Sequence, residues 1–158
     1  MRITDLLSAE DVGLDQKAGN KRSLIQLLAV QAAARLGRPE PEVRAALEAR
    51  EQLGSTALGR GVALPHARLE GESRPLLLVT RLARPIDFEA RDDEPVDLVF
   101  TVLWPEAEAE TFLPALSGLC RSLRNPQVLQ KLRQARTPAE VVALLRQAAP
   151  AEAAGLPS

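Results

Sequence analysis

Residues 76–82 read Leu-Leu-Leu-Val-Thr-Arg-Leu, an almost unbroken apolar run, and residues 96–104 read Val-Asp-Leu-Val-Phe-Thr-Val-Leu-Trp. Both are rich in residues that favour strands. A strand with one wet face alternates apolar and polar side chains; the first run does not, so it needs apolar cover on both faces. The expected fold class is therefore α/β: a single domain with a small mixed β-sheet flanked by helices. A chain of 158 residues is long enough to bury such a core without disulfide or metal staples. That core must be mainly Leu, Val and Ala, because the sequence holds only three Phe, one Trp and no Tyr.

The covering helices are legible from their apolar spacing. Asn20 is an N-cap for a helix carrying Leu24, Ile25, Leu27, Leu28, Val30, Gln31, Ala34 and Leu36, ended by Gly37. A second helix starts near Pro39 to Pro41, runs through Val43, Ala46, Leu47 and Arg50, and is expected to close on Gly54 in a left-handed cap. Before them, residues 1–19 read as one short helical turn and an extended connector. Residues 62–64 form a short strand closed by Pro65, residues 85–89 a short edge strand, and residues 91–95 a solvated polar turn. After Pro105, Phe112, Leu113, Leu116, Leu119, Cys120 and Leu123 share one helical face. Pro114 costs little there if Thr111 is the N-cap, and removes a hydrogen bond if the helix starts near Ala107. Asn125-Pro126 and Thr137-Pro138-Ala139-Glu140 start two further helices. The domain spans 1–149, and 150–158, dominated by Ala, Pro and Gly, is expected to be a flexible tail.

Charge and composition remove several functions. A formal net charge of −1 with both signs interspersed produces no long-range field for nucleic acid or an anionic membrane, so neither is an expected partner. The apolar runs are too short to span a bilayer, and no signal-like start is present. Cys120 is the sole cysteine and cannot make an internal disulfide. A cytoplasmic, reducing setting is expected. One His and one Cys far apart do not form a zinc site, and no Gly-x-Ser-x-Gly elbow points to a hydrolase. No metal and no cofactor are expected.

Chemistry concentrates in residues 50–68. His66 is the only histidine in the chain. Around it lie Gly54, Gly59 and Gly61, the hydroxyls of Ser55 and Thr56, and the guanidinium groups of Arg50, Arg60 and Arg68. Donors for an anion can converge there beside a nucleophilic imidazole. A lone histidine after a proline is, by itself, more often structural than catalytic. Ser55 and Thr56 either complete an anion cradle or cap local backbone. The glycines lack the Gly-x-x-x-x-Gly-Lys pattern of a nucleotide loop.

The run Arg50-Glu51-Gln52-Leu53-Gly54-Ser55-Thr56-Ala57-Leu58-Gly59-Arg60-Gly61-Val62-Ala63-Leu64-Pro65-His66-Ala67-Arg68 resembles the signature of the fructose/mannitol type enzyme IIA domains of the bacterial phosphoenolpyruvate phosphotransferase system (PTS). Pro85-Ile86-Asp87-Phe88, Pro95-Val96-Asp97-Leu98-Val99-Phe100 and the stretch from Asn125-Pro126 to Leu144 resemble that family's later blocks. A stand-alone chain of this length is most similar to the family's nitrogen-regulatory branch. The resemblance implies that His66 accepts a phosphoryl group from a phosphohistidine on an HPr-type carrier and that Arg50 lies beside that group. Ser55, Thr56, Gly59 and Gly61 are then candidates for binding the phosphoryl group. Ala57, Leu58, Arg60, Arg68 and Phe112 are candidates for a partner-facing surface, with Val62 on its apolar rim. The chain departs from the pattern at Thr111-Phe112-Leu113, where many members carry a second histidine in a Thr-His-Leu context; Phe112 cannot hydrogen-bond the acceptor.

Three functions compete. One is a regulatory phosphocarrier that binds target proteins according to its phosphorylation. Another is a sugar-specific PTS enzyme IIA that passes the group to a separate IIB domain. The third is a binding module that keeps the fold without phosphorylation.

Overall fold

The computed structural model describes residues 2–71 and 73–148; residues 149–158, and with them the expected tail, lie outside the described residues. Two 3-10 turns, Ile3–Leu6 and Ala9–Asp11, lead into β1 (Val12–Gln16). Helices α1 (Lys21–Leu36) and α2 (Glu40–Gln52) follow, then four strands: β2 (Ala57–Gly59), β3 (Val62–Ala63), β4 (His66–Leu69) and β5 (Leu76–Ile86). The chain closes with β6 (Val96–Pro105), a 3-10 turn and helices α3 (Ala109–Leu123), α4 (Pro126–Gln134) and α5 (Pro138–Ala148).

Strand β6 lies at the centre. Its residues are buried except Asp97, so its backbone groups must find partners on both edges. Antiparallel β5 covers one edge, from Leu76 opposite Leu103 to Ile86 opposite Val96. Parallel β3 and β4 share the other. Beyond them, β1 lies parallel to β5, and β2 antiparallel to β3. The result is a mixed sheet, ordered β1-β5-β6-β3-β2 with β4 also on β6.

Each face of the sheet packs a separate apolar cluster. On one face α1 and α2 contribute Leu24, Ile25, Leu28, Val43 and Leu47 against Leu76, Leu78, Val99 and Leu103. On the other, α3, α4 and α5 contribute Leu116, Leu119, Leu129, Leu132 and Leu145 against Leu77, Val79, Phe100 and Val102. This is the two-sided cover that the 76–82 run demands. Helix starts follow the expected chemistry: the Asn20 side chain accepts from Ser23 N at 2.8 Å, and Asn125 accepts from Gln127 N at 2.9 Å. Thr137 Oγ1 accepts from Glu140 N at 3.2 Å, but the Glu140 carboxylate returns to Arg136 N, one residue before the cap.

Several local expectations are corrected. The connector after residue 11 is an edge strand, because β5 has a second edge to satisfy. Residues 85–86 extend β5, with Ile86 opposite Val96 of β6, while Phe88 and Glu89 lie in the loop beyond. Gly54 does not adopt the compact left-handed cap; its φ is 143° and Leu53 before it is still right-handed. Pro114 takes the costlier of its two settings. Helix α3 starts at Ala109, so the proline falls in the second turn and gives no N–H to the Glu110 carbonyl. Thr111 is engaged elsewhere: its hydroxyl donates to Glu108 O at 2.9 Å and accepts from Trp104 Nε1 at 3.1 Å. Leu113 leaves the expected apolar face and is 69% exposed. Arg81 supplies a cap for α4, donating to the carbonyls of Leu132, Arg133 and Ala135.

The β2–β3 turn shows how tightly one element is held. Gly61 has φ 79°, and a Cβ there would lie 2.6 Å from Arg133 Nη2 and 3.3 Å from the Pro95 carbonyl. Arg133 cannot yield cheaply, since it is bidentate to Asp97 and also donates to Arg60 O. Gly61→Ala should therefore destabilise the fold by on the order of 3 kcal/mol. Gly37→Ala, also left-handed but with open space at the Cβ position, should cost only about 1–2 kcal/mol. Urea unfolding of the two variants checks the order; equal losses would contradict it.

Candidate functional site

The segment from residue 62 to residue 69 is one strand with a break. Ala63 lies opposite Val99 and His66 opposite Val102, the same offset on both sides of Leu64-Pro65. Proline has no N–H to donate, but its carbonyl accepts from Val102 N at 2.9 Å, so pairing resumes at once. His66 is thus the first residue of β4, where the sequence pattern placed it at the end of a strand. Alternation carries through the break: Ala63, Ala67 and Leu69 face the α1–α2 cluster, and Val62 and Leu64 face the α3–α5 cluster. His66 and Arg68 share that second face, against Phe112 and Glu106.

At the break the Leu64 carbonyl turns to the His66 ring, 2.8 Å from Nδ1. A carbonyl only accepts, so Nδ1 carries the proton and the lone pair of the neutral ring resides on Nε2. Arg50 reaches that nitrogen from the last turn of α2, with Nε 3.3 Å from Nε2. Its Nη1 donates to Gly54 O at 2.9 Å, which ties the guanidinium to its own helix end. Burial holds the His66 pKa below the usual imidazole value; the Leu64 carbonyl opposes this, Arg50 adds to it, and the Glu51 carboxylate opposes it. A neutral imidazole with a defined nucleophilic nitrogen beside a permanent cation is suited to attack an electrophile that carries negative charge.

Phe112 closes the other side. Its ring centroid is 5.8 Å from that of His66, tilted by 59°, and 5.8 Å from that of Trp104. At 7% exposure it is a wall of the site, which corrects its assignment to a partner-facing surface. Val62, 1% exposed, is likewise core rather than rim.

The hydroxyls next to Arg50 are committed to the fold. Ser55 Oγ donates to Phe88 O at 2.8 Å and accepts from Ala57 N at 3.2 Å. Thr56 Oγ1 donates to Glu51 Oε2, and Thr56 N donates to Glu51 Oε1 at 3.1 Å. Ser55 therefore follows the local capping alternative, through Ala57 N, while the Thr56 hydroxyl is taken by the Glu51 side chain. Glu51 also pairs with Lys21 Nζ at 3.0 Å, and that ammonium lies 4.5 Å from the Phe88 ring centroid. This network, which ties α1, α2 and the 55–57 and 88–89 loops together, was not singled out from sequence. The signal available was a carboxylate adjacent to Arg50 and five residues before a threonine.

Gly59 and Gly61 are not brought to His66. Val62, next to Gly61, is opposite Leu98 and His66 is opposite Val102, a separation of about 13 Å along β6. The two glycines instead make the positive-φ turn of the β2–β3 hairpin. Arg60 belongs to the same turn: its N–H donates to Asp92 Oδ2 at 3.0 Å and its Nη1 to Arg124 O at 2.8 Å. Asp92 is thus more than a solvated turn residue, and the Arg60 and Glu94 amides hold its carboxyl below the usual range. Leu58, Gly59, Arg60 and Val62 line a cleft of about 410 Å³ with Cys120, Leu123 and Arg124, apart from His66. Arg68 is exposed and 3.5 Å from Glu106; Ala57 is half-buried and Leu58 is 46% exposed. Two leucines adjacent in sequence to the site's elements are exposed: Leu53, 84% exposed, just beyond the Arg50 helix end and not named from sequence, and Leu113, next to Phe112.

Among the described residues, no helix is long and apolar enough to cross a membrane. Residues 5–148 match the family described as phosphoenolpyruvate-dependent sugar phosphotransferase system, EIIA 2. The chain is 42% identical over 145 residues to a nitrogen regulatory protein of Bradyrhizobium diazoefficiens, covering 92% of this chain and 95% of that one. It is 35% identical over 142 residues to a PTS fructose-specific EIIA component of Haloferax volcanii, covering 87% and 92%. The crystal structure of nitrogen regulatory protein IIA-Ntr from Neisseria meningitidis superposes with a TM-score of 0.86 at 32% identity, covering 90% of this chain and 98% of that one. The mixed sheet, its helical cover and a sequence match running almost from end to end agree: this chain belongs to the EIIA 2 family of the phosphoenolpyruvate-dependent sugar phosphotransferase system.

Proposed function

We propose that the chain is a regulatory phosphohistidine carrier in which His66 accepts a phosphoryl group from the phosphohistidine of an HPr-type protein. The observation that carries this reading is the pair of contacts on the imidazole: Nδ1 held by the Leu64 carbonyl at 2.8 Å and Nε2 beside Arg50 at 3.3 Å. In the transfer, the Nε2 lone pair forms the new nitrogen–phosphorus bond as the donor's bond breaks and its electron pair returns to the donor nitrogen. The proton stays on Nδ1, donated to the Leu64 carbonyl, and that hydrogen bond stabilises the cationic ring that forms. Arg50 exchanges its ring contact for the phosphoryl oxygens, supplying charge stabilisation without moving a proton.

The output of a regulatory carrier is a change in which surfaces fit it. A phosphoryl group adds close to two negative charges to a site near which Leu53 and Leu113 are exposed. Apolar partners that seat on the unmodified site then have to desolvate a charged group. The relation to nitrogen regulatory proteins supports this output. The relation to a fructose-specific EIIA component supports a second reading, onward transfer to a separate IIB domain.

Incubation with phosphoenolpyruvate, enzyme I and an HPr-type carrier should place acid-labile phosphate on the wild type and none on His66→Ala. Label that survives the substitution would remove His66 from the mechanism. Arg50→Lys keeps the charge but loses the planar fork, and should slow transfer by roughly 10- to 100-fold. Rapid transfer from the labelled protein to a purified IIB domain would select the second reading.

The direction of the His66 shift makes a pH prediction. Because its pKa lies below the usual value, the ring loses its proton at a lower pH than a free imidazole and keeps Nε2 available in mildly acidic solution. An NMR titration of the ring should give a midpoint below 6.5. In Arg50→Ala the midpoint should rise; a fall would reverse the assigned sign.

A further inference from the structure

Phe112 stands against the proposed acceptor and has no polar atom to offer it. Its position is nevertheless fixed through a continuous set of contacts. Trp104 Nε1 donates to Glu108 O and to Thr111 Oγ1, both at 3.1 Å. That indole packs on the Phe112 ring, and Phe112 packs on His66. The imidazole is therefore bounded by three groups: the Leu64 carbonyl at Nδ1, the Arg50 guanidinium at Nε2, and an apolar wall with the start of α3 behind it. Water reaches a buried phosphorus–nitrogen bond only where the surrounding surface leaves room or offers it a hydrogen bond. Phe112 does neither on the side it covers.

We propose that Phe112 is a positioning residue that makes phosphorylated His66 long-lived, by holding the ring between Leu64 and Arg50 and by excluding water from one side of the phosphorus–nitrogen bond. This rests on the reading of His66 as the acceptor. The reaction it suppresses is hydrolysis. Water oxygen bonds to phosphorus and the Nε2–phosphorus bond breaks with its electron pair returning to Nε2. Both water protons leave with the product as dihydrogen phosphate, and the ring is left neutral with its proton on Nδ1. A polar side chain in the same place would orient that water. The aromatic at position 112 thus favours a phosphorylated state that persists as a signal over one that turns over quickly.

The test uses the full chain, phosphorylated chemically with phosphoramidate so that no carrier protein is involved. Loss of the phosphohistidine signal is followed by phosphorus NMR, and nitrogen shifts of His66 in the unphosphorylated protein report which ring nitrogen holds the proton. Phe112→His, which introduces a polar ring, should shorten the half-life of the phosphorylated form by roughly tenfold. Phe112→Leu, which keeps an apolar wall, should retain most of it. Phe112→Ala should shorten the half-life and mix the two tautomers. If Phe112→Ala does not fold, the His and Leu variants decide by themselves. Equal half-lives for wild type, Phe112→His and Phe112→Leu would overturn the proposal, as would an unchanged tautomer in a folded Phe112→Ala. Wild type that takes phosphate from phosphoramidate on His66 but never from an HPr-type carrier would sink the carrier reading and leave the half-life comparison standing.

Discussion

The structure depends on the burial of β6. A strand covered on both faces has no water for its backbone, so each of its edges must be paired along its length. The long antiparallel partner β5 satisfies one edge. The other is satisfied by β3 and β4 in tandem, with the Pro65 carbonyl bridging the gap by accepting from Val102 N. Helices are then required on both sides, and the two apolar clusters follow from alternate side chains of the same strands.

The candidate site is a by-product of how the second edge is satisfied. Alternate residues of a strand face opposite edges: the Pro65 carbonyl accepts from Val102 N, while Leu64 faces away from β6, with its N–H on Thr56 O. The Leu64 carbonyl is left to accept from the Nδ1–H of the residue two positions later. The register is unchanged across the interruption, so His66 is held by a full parallel ladder from its first residue onward. Helix α2 ends beside it and delivers Arg50 to the other nitrogen. An imidazole placed this way is held at both ring nitrogens, and the fold itself settles that the lone pair is on Nε2.

Much of this was legible in the sequence, and for identifiable reasons. Helices α1, α4 and α5 announced themselves by Asn20, Asn125 and Thr137, because a capping side chain and its backbone partner lie within three residues of each other. The demand of residues 76–82 for cover on both faces was also readable, since it is a statement about one strand. Proline was harder to read. After Leu64 it looked like a strand end, although its carbonyl remained a good acceptor for Val102 N; in α3 it left two starts open, and the earlier one is taken, with the Thr111 hydroxyl bound to Glu108 and Trp104. In both places a hydrogen bond made elsewhere outweighed a local preference.

The sequence by itself determined the fold class and pointed to the two groups on which the proposed chemistry turns, His66 and Arg50, because periodicity, caps and a long contiguous motif are all short-range properties of the chain. Tertiary structure alone decided what surrounds them. Gly59 and Gly61 are close to His66 along the chain yet about 13 Å away along β6, and Phe112 is distant in sequence yet its ring lies against the imidazole. Ser55 and Thr56 were free to bind an anion until the positions of Phe88 and Glu51 claimed their hydroxyls. A hydrogen-bonding group has a limited number of bonds to make, and only the folded chain assigns them.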